Sequence, residues 1–275
     1  RAINLNFGLC DNELSLVFSS CFLGAANVQE TLTTIQQFLT DNPNEVILMP
    51  SQIDDSTGGV VSMASILAVI QNATDSDGLS MDSRLYSHIA GGKWPTLQQL
   101  IDADQRILFF TFGGSESCAQ GDCPFGFNDW EQYAAMTSDQ VTSADSVLVD
   151  TSAACELSQG ASGTKDFFGV NLFPSLPFED DSIIMNEESF LRRYVQSCAL
   201  QNGLSVNLIV VDFWSHGDVL KVVNELNAAE QTPATTKTTT APTLTPITST
   251  PTEFCNDLMG CKQGGNNETN TAGRN

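Results

Sequence analysis

The chain has 275 residues, with 11 Lys and Arg against 33 Asp and Glu and a formal net charge of −22. That balance excludes partners held by a basic footprint, nucleic acid above all, and excludes electrostatic docking on an anionic membrane. No run of about 18 apolar residues occurs, so no segment reads as a bilayer-spanning helix.

In chain order, the sequence opens at Arg1 and enters an apolar stretch at once. It lacks the basic region and long apolar run of a signal peptide, so the reading is a processed chain or one cut inside a domain. Short apolar runs at Ala2–Phe7, Leu14–Phe18, Glu45–Met49, Arg106–Phe112, Phe167–Phe173 and Val206–Phe213 predict strands. Most are too continuously apolar for a sheet with one wet face. Helical spacing occupies Ala26–Leu39, Met63–Ile70, Thr96–Asp102, Glu187–Gln201 and Asp218–Leu226. Thr96 after Pro95 and Asn186 before Glu187 and Glu188 read as helix starts, and Asn202-Gly203 reads as a stop. Strands alternating with helices predict an α/β domain, either a barrel or a doubly wound sheet. No G-x-G-x-x-G, P-loop or G-x-S-x-G motif is present, which removes the usual chemistries of the doubly wound class.

Composition changes after Glu230. Between Thr232 and Thr252, 16 of 21 residues are Thr, Ser or Pro, the signature of a disordered, O-glycosylated stalk. The expected layout is a domain over 1–230, a linker over 231–252 and a polar tail over 253–275. Eight cysteines pair by spacing as Cys10–Cys21, Cys118–Cys123, Cys155–Cys198 and Cys255–Cys261, and none forms a zinc-type cluster. An even count favours disulfides and so a secreted or cell-surface protein, and the acceptors Asn72 and Asn267 for N-glycosylation fit that compartment.

Two histidines are available for proton transfer. His88 sits in a mixed polar stretch. His216 follows the strongest strand, where catalytic groups of barrels collect. For each, a local hydrogen bond is the simpler expectation. Asp75-Ser76-Asp77-Gly78 fails as a calcium loop, because Ala73 and Arg84 would fall on the key ligand positions, and it reads as a solvated turn. Asp54-Asp55 reads as a loop pair rather than a metal site. No serine lies in a triad context.

The runs Cys21-Phe22-Leu23-Gly24-Ala25 and Phe38-Leu39-Thr40-Asp41-Asn42-Pro43-Asn44-Glu45-Val46-Ile47-Leu48 carry a resemblance. Trp94-Pro95-Thr96-Leu97, Gln105 to Phe110 and Val211-Asp212-Phe213 follow in the right order. Over roughly residues 1–228 the chain resembles the X-domain of phosphatidylinositol-specific phospholipase C-like phosphodiesterases, in their secreted microbial and plant branch. The resemblance implies a TIM-like β/α barrel, often distorted, that cleaves a phosphodiester or lipid headgroup with two histidines as acid and base. Arg1 matches the start of that family's second strand, so the first strand and its histidine are expected to be missing from this chain. The second histidine is replaced by Phe18, which cannot exchange a proton. Asn6 and Gln52 stand where metal-dependent members carry Asp and Glu. Amides there remove two charges from a calcium site, so neither calcium nor another cofactor is expected. Arg1 and Asp212 match the residues that assist catalysis in metal-free members.

Two readings follow: a phosphodiesterase of the family, degenerate at its active site, or a secreted non-catalytic binding module on a glycosylated stalk. A glycosidase on a similar barrel would need a second strand-end carboxylate to partner Asp212.

Overall fold

The computed structural model describes residues 1–18, 20–116, 118, 123–138, 143–160, 165–174 and 179–231. The Thr-rich segment, Cys255, Cys261 and Asn267 lie outside these residues. The chain divides into two units, Arg1–Asn227 and Ala228–Asn275. The first carries everything that follows.

Its strands are β1 (Leu5–Cys10), β2 (Glu13–Phe18), β3 (Ser20–Asn27), β4 (Ile47–Asp54), β5 (Ile107–Phe112), β6 (Phe127–Asp129), β7 (Ala134–Thr137), β8 (Leu157–Gln159), β9 (Phe167–Leu172) and β10 (Leu208–Val211). Its helices are α1 (Val28–Asp41), α2 (Met63–Asn72), α3 (Leu97–Asp102), α4 (Trp130–Tyr133), α5 (Ala144–Val149), α6 (Thr151–Ala154), α7 (Glu179–Met185), α8 (Glu188–Asn202) and α9 (Val219–Gln231), with a 3-10 turn at Met81–Arg84. One sheet has the order β3-β2-β1-β4-β5-β6 and the other β10-β9-β7-β8. The β1-β4-β5-β6 run is parallel, as is β7-β9-β10, while β2, β3 and β8 join antiparallel. This is the expected TIM-like α/β architecture, with a hairpin added at one margin.

Local chemistry accounts for the boundaries. Asp11 and Asn12, both at positive φ, make the two-residue turn between β1 and β2, a conformation that Asp and Asn tolerate. Asn27 caps α1 by accepting from the Glu30 amide, and Val28, Leu32, Ile35 and Leu39 bury one face of that helix. Thr96 and Gln99 form a capping box on α3, and Gly203 ends α8 in the left-handed conformation, as the sequence predicts. The expected start at Asn186 is corrected: Glu187 occupies the cap of α8. The Asn186 side chain is committed elsewhere, as described below.

Alternation along the strands sorts the core into layers. Leu5, Phe7, Met49, Ile53, Ile107 and Phe109 pack outward beneath α1 and α2. Phe168, Val170 and Leu172 pack outward beneath α5, α7, α8 and α9. The intervening positions face inward and meet between the sheets: Leu48, Leu108, Phe110 and Phe112 from one, and Ala134, Met136, Phe167, Leu208 and Val210 from the other, with Trp94 and Trp130. Gly169 leaves room for this interior, since a Cβ there would lie 2.1 Å from Met136 Sδ. The barrel interior is thus a packed aromatic core.

Three disulfides, Cys10–Cys21, Cys118–Cys123 and Cys155–Cys198, are present with Cα separations of 5.6, 4.8 and 4.9 Å. They agree with the expected pairing.

The Asp75 turn is not solvated as expected. Its carboxylate is buried, accepting from Thr40 Oγ1 at 2.6 Å and from the amides of Leu79 and Asp77, with the Arg84 guanidinium at 3.5 Å. The Thr40 hydroxyl, foremost among these, holds the Asp75 carboxyl below its usual range. Arg84 and Arg106 share Asp104, and Arg106 also donates to the carbonyls of Leu39 and Asn42 at 2.8 and 3.1 Å. A charge pattern that looks solvent-facing in sequence fastens α1 to the loops entering β5.

Candidate functional site at the strand ends

Register places Asn6 opposite Gln52, and Gln52 opposite Phe112. The three form one row across β1, β4 and β5, near the C-terminal ends of β4 and β5. Since Leu5, Phe7 and Ile53 face the outer layer, Asn6 and Gln52 face inward, at the mouth of the barrel. On the other sheet, Val210 faces inward and pairs with Asn171, and Asp212 follows with the same parity. The mouth therefore gathers three amides, Asn6, Gln52 and Asn171, and one carboxylic acid, Asp212. Asn171 was not singled out in the sequence, because an Asn in an apolar strand gives no signal until its inward parity is known. It donates from Nδ2 to the Thr137 carbonyl at 2.8 Å.

Electrostatically the row is bare. The Asn6 Oδ1 atom is buried and accepts no hydrogen bond. Burial alone pushes the Asp212 carboxyl above its ordinary range, with no cation to oppose it. Below this level the interior is closed by Phe110, Trp130 and Phe167.

Phe18 ends β2, where pairing with β3 shifts register. Extending the Phe7–Leu16 pairing brings Phe18 level with Leu5, next to Asn6 along the chain. Arg1 is not brought to this group. Its guanidinium pairs with Glu45 at 3.1 Å, and its backbone amine donates to the Val46 carbonyl. Glu45 precedes Gln52 by seven residues of mostly extended chain, about 23 Å at 3.3 Å per residue.

The two imidazoles separate. His88 lies by the N-terminal ends of β5, β7 and β9, stacked on Trp94 with ring centroids 3.8 Å apart, edge-on to Tyr133, and 3.3 Å from the Tyr86 hydroxyl through Nδ1. Desolvation lowers its pKa, which keeps the ring neutral. It is a satisfied packing residue. His216 lies in the loop after β10, at the mouth end, with Nδ1 at 3.5 Å from Glu179 Oε1. That loop is fixed from behind. The buried Asn186 donates from Nδ2 to the carbonyls of Asp212 and Phe213 at 2.8 and 3.2 Å, and its own carbonyl accepts from the Asp218 amide. Phe213 is held at φ 49°, and Trp214 beside it stands 61% exposed.

Asp54 and Asp55 tie loops together at the same end. Asp54 accepts from Ser56, and Asp55 accepts from Val61 N at 2.9 Å and from Ser115 N and Oγ at 2.6 and 2.8 Å. Burial raises the Asp55 pKa, but these hydrogen bonds outweigh it and hold the carboxyl low. Both are loop residues, as the sequence suggests.

The family's calcium does not fit this donor set. Asn6 and Gln52 offer neutral amide oxygens and Asp212 a single carboxylate, and among the described residues no three carboxylate, imidazole or thiolate side chains converge. The PI-PLC X 1 family model matches residues 8–227. The chain belongs to the phosphatidylinositol-specific phospholipase C X-domain family. No curated protein and no solved structure matches it. The family match begins at Gly8, so Asn6 is placed at the mouth by strand register. Among the described residues no helix is long and apolar enough to cross a membrane.

Proposed function

We propose that this PI-PLC X-family barrel is catalytically silent and serves as an extracellular binding module carried on its Thr/Ser/Pro-rich segment. The supporting observation is the row at the mouth, where the amides Asn6 and Gln52 stand at the strand ends; the family resemblance adds that Phe18 stands where an imidazole is expected. Phosphodiester cleavage needs one group to take a proton and another to give it, each contributing about 10²–10⁴-fold. Asp212 and Gln52 do not supply that pair. Three disulfides support an oxidising compartment, and the exposed Asn72 at the end of α2 is accessible to glycosylation.

One observation favours a second reading, residual phosphodiesterase activity. His216 stands at the mouth end with Glu179 at 3.5 Å, an imidazole–carboxylate pair close in chain to Asp212. The test is hydrolysis of phosphatidylinositol vesicles and of a soluble phosphodiester by the full chain, with and without calcium. The expected rate equals that of the His216→Ala variant and of buffer. Turnover that His216→Ala lowers by 100-fold or more would establish the second reading.

A further inference from the structure

The single Asn-Gly dipeptide of the sequence, Asn202-Gly203, falls where α8 ends, shortly before the start of β10 and away from the mouth. Asparagine followed by glycine is the pair most prone to cyclise, because no Cβ shields the following amide nitrogen and glycine bends freely. In that reaction the Gly203 nitrogen attacks Asn202 Cγ and a C–N bond forms. The Cγ–Nδ2 bond breaks, and Nδ2 leaves as ammonia, taking the proton of the Gly203 amide. Water then opens the cyclic imide. Opening at Cγ gives aspartate, and opening at the main-chain carbonyl gives isoaspartate, with the backbone rerouted through the side chain. No oxidant, metal or enzyme takes part.

In the folded chain both reacting groups are engaged. The Gly203 amide donates to the Ala199 carbonyl, with Gly203 left-handed at φ 64°. Asn202 Nδ2 donates to two carbonyls, those of Cys155 and Cys198, each at 3.0 Å. Leu204 N also donates to the Ala199 carbonyl, at 3.2 Å. Cyclisation therefore requires the last turn of α8 to open first. Water is no obstacle, since Gly203 is exposed and Asn202 half-buried.

The product does not suit its surroundings. Cys155 and Cys198 are fully buried and joined, with Cα atoms 4.9 Å apart, which keeps their carbonyls together. Where the amide donated twice, a carboxylate can only accept, and its oxygens would face two carbonyl oxygens. The disulfide prevents α6 and α8 from parting to relieve that repulsion, so the end of α8 is what yields. Gln201, which donates to the Ser152 carbonyl at 3.0 Å, and Leu204, packed on the same core, lie on either side.

We infer that Asn202 is a site of irreversible conversion to aspartate and isoaspartate, held off by the helix cap it helps to form, and that conversion loosens the last turn of α8. A converted chain lacks the donor that closed the cap, so conversion accumulates with the time the turn spends open. The mouth takes no part in this chemistry, whatever its function.

The experiment ages the full chain at neutral pH in heavy-oxygen water, both folded and in urea with its disulfides intact. Peptide mapping reads the conversion of each asparagine, and a carboxyl methyltransferase labels isoaspartate. In urea, Asn202 is expected to convert ahead of every other asparagine, and in the folded chain about tenfold more slowly or less. Gly203→Ala should slow conversion several-fold in urea, where the folding of the variant does not matter. Asn202→Asp should lower the urea midpoint and speed hydrogen exchange at the residue 203 and 204 amides. Equal rates in the folded and unfolded chains would overturn the inference, as would conversion in urea spread evenly over the asparagines. An Asn202→Asp chain as stable and as protected as the parent would overturn it too.

Discussion

The two ends of the barrel use polar residues in opposite ways. At the N-terminal ends of the strands, Arg84, Arg106, Asp75 and His88 are largely withdrawn from water and matched by ion pairs, hydrogen bonds or ring stacking. At the mouth, Asn6 Oδ1 has no donor and Asp212 has lost water without gaining a counter-charge. Arg84, Arg106, Asp75 and His88 repay their desolvation within the fold, although Gln36 Oε1 beside them is buried and accepts no hydrogen bond. At the second, Asn6 Oδ1 and Asp212 do not.

The largest effect expected from this contrast is at Arg84. Arg84→Ala should cost about 3–5 kcal/mol, because it leaves the Asp75 carboxylate buried without its cation. Urea denaturation would show it as a lower midpoint with an unchanged slope. A loss within about 0.5 kcal/mol would mean that Thr40 and the loop amides satisfy Asp75 unaided, and the contrast would weaken.

Asn6→Leu should move stability the other way. Removing a buried acceptor that has no partner, at similar volume, should gain about 1 kcal/mol. A destabilised variant would show that Asn6 is already satisfied and that the mouth is not bare.

How far these positions could be read in advance follows the same division. Continuous apolar runs made β1, β4, β5, β9 and β10 legible, and α1, α3 and α8 announced themselves through caps and periodicity. The strand β3 escaped because Ser20, Gly24, Ala25 and Ala26 carry little strand preference. It forms because β2 offers an edge and because Cys21 is tied to Cys10. The short β6, β7 and β8 are defined by their neighbours rather than by pattern. At the site, Gln52 and Asn6 were visible as departures at strand ends and Asp212 as a match, and the register makes Asn6 and Gln52 neighbours. Arg1 could be aligned with a strand but not located along it: it stands five residues before Asn6, toward the end of the strands opposite the mouth. Asp75 misled because charged turns are usually wet, and only the tertiary approach of Arg84 and α1 buries it.

Asp212→Asn should stabilise the chain at neutral pH by less than the Asn6 change. The folded-state pKa lies above the unfolded one, so the carboxylate costs nothing below the ordinary Asp range. Its full penalty appears once pH has risen through the raised value. The gain in melting temperature should therefore be present at pH 7 and vanish near pH 3. A gain that persists there would assign the effect to packing.

The smallest effect concerns His88. Its lowered pKa means that the unfolded chain takes up the proton first, so stability should fall as pH drops below about 6.5 toward the lowered folded value. His88→Phe should remove this slope between pH 7 and 5 while keeping the stack on Trp94. Melting curves with parallel pH dependence in both proteins would show that His88 titrates normally.

Asn186 has a consequence for motion. One amide group fastens the backbone just after β10, while the carbonyl of the same residue holds the first turn of α9 through Asp218. The rim carrying Trp214 and His216 therefore cannot swing independently of the junction between α7 and α8. Gly217, at φ 83°, lets this junction close against the Asn186 carbonyl, where a Cβ would sit 2.6 Å away. A ligand arriving at the mouth would meet a surface already set in place, with little ordering left to do. A displacement of this rim would be felt by the outer helices through Asn186, through the His216–Glu179 pair and through Asp218, which accepts from the Glu188 amide.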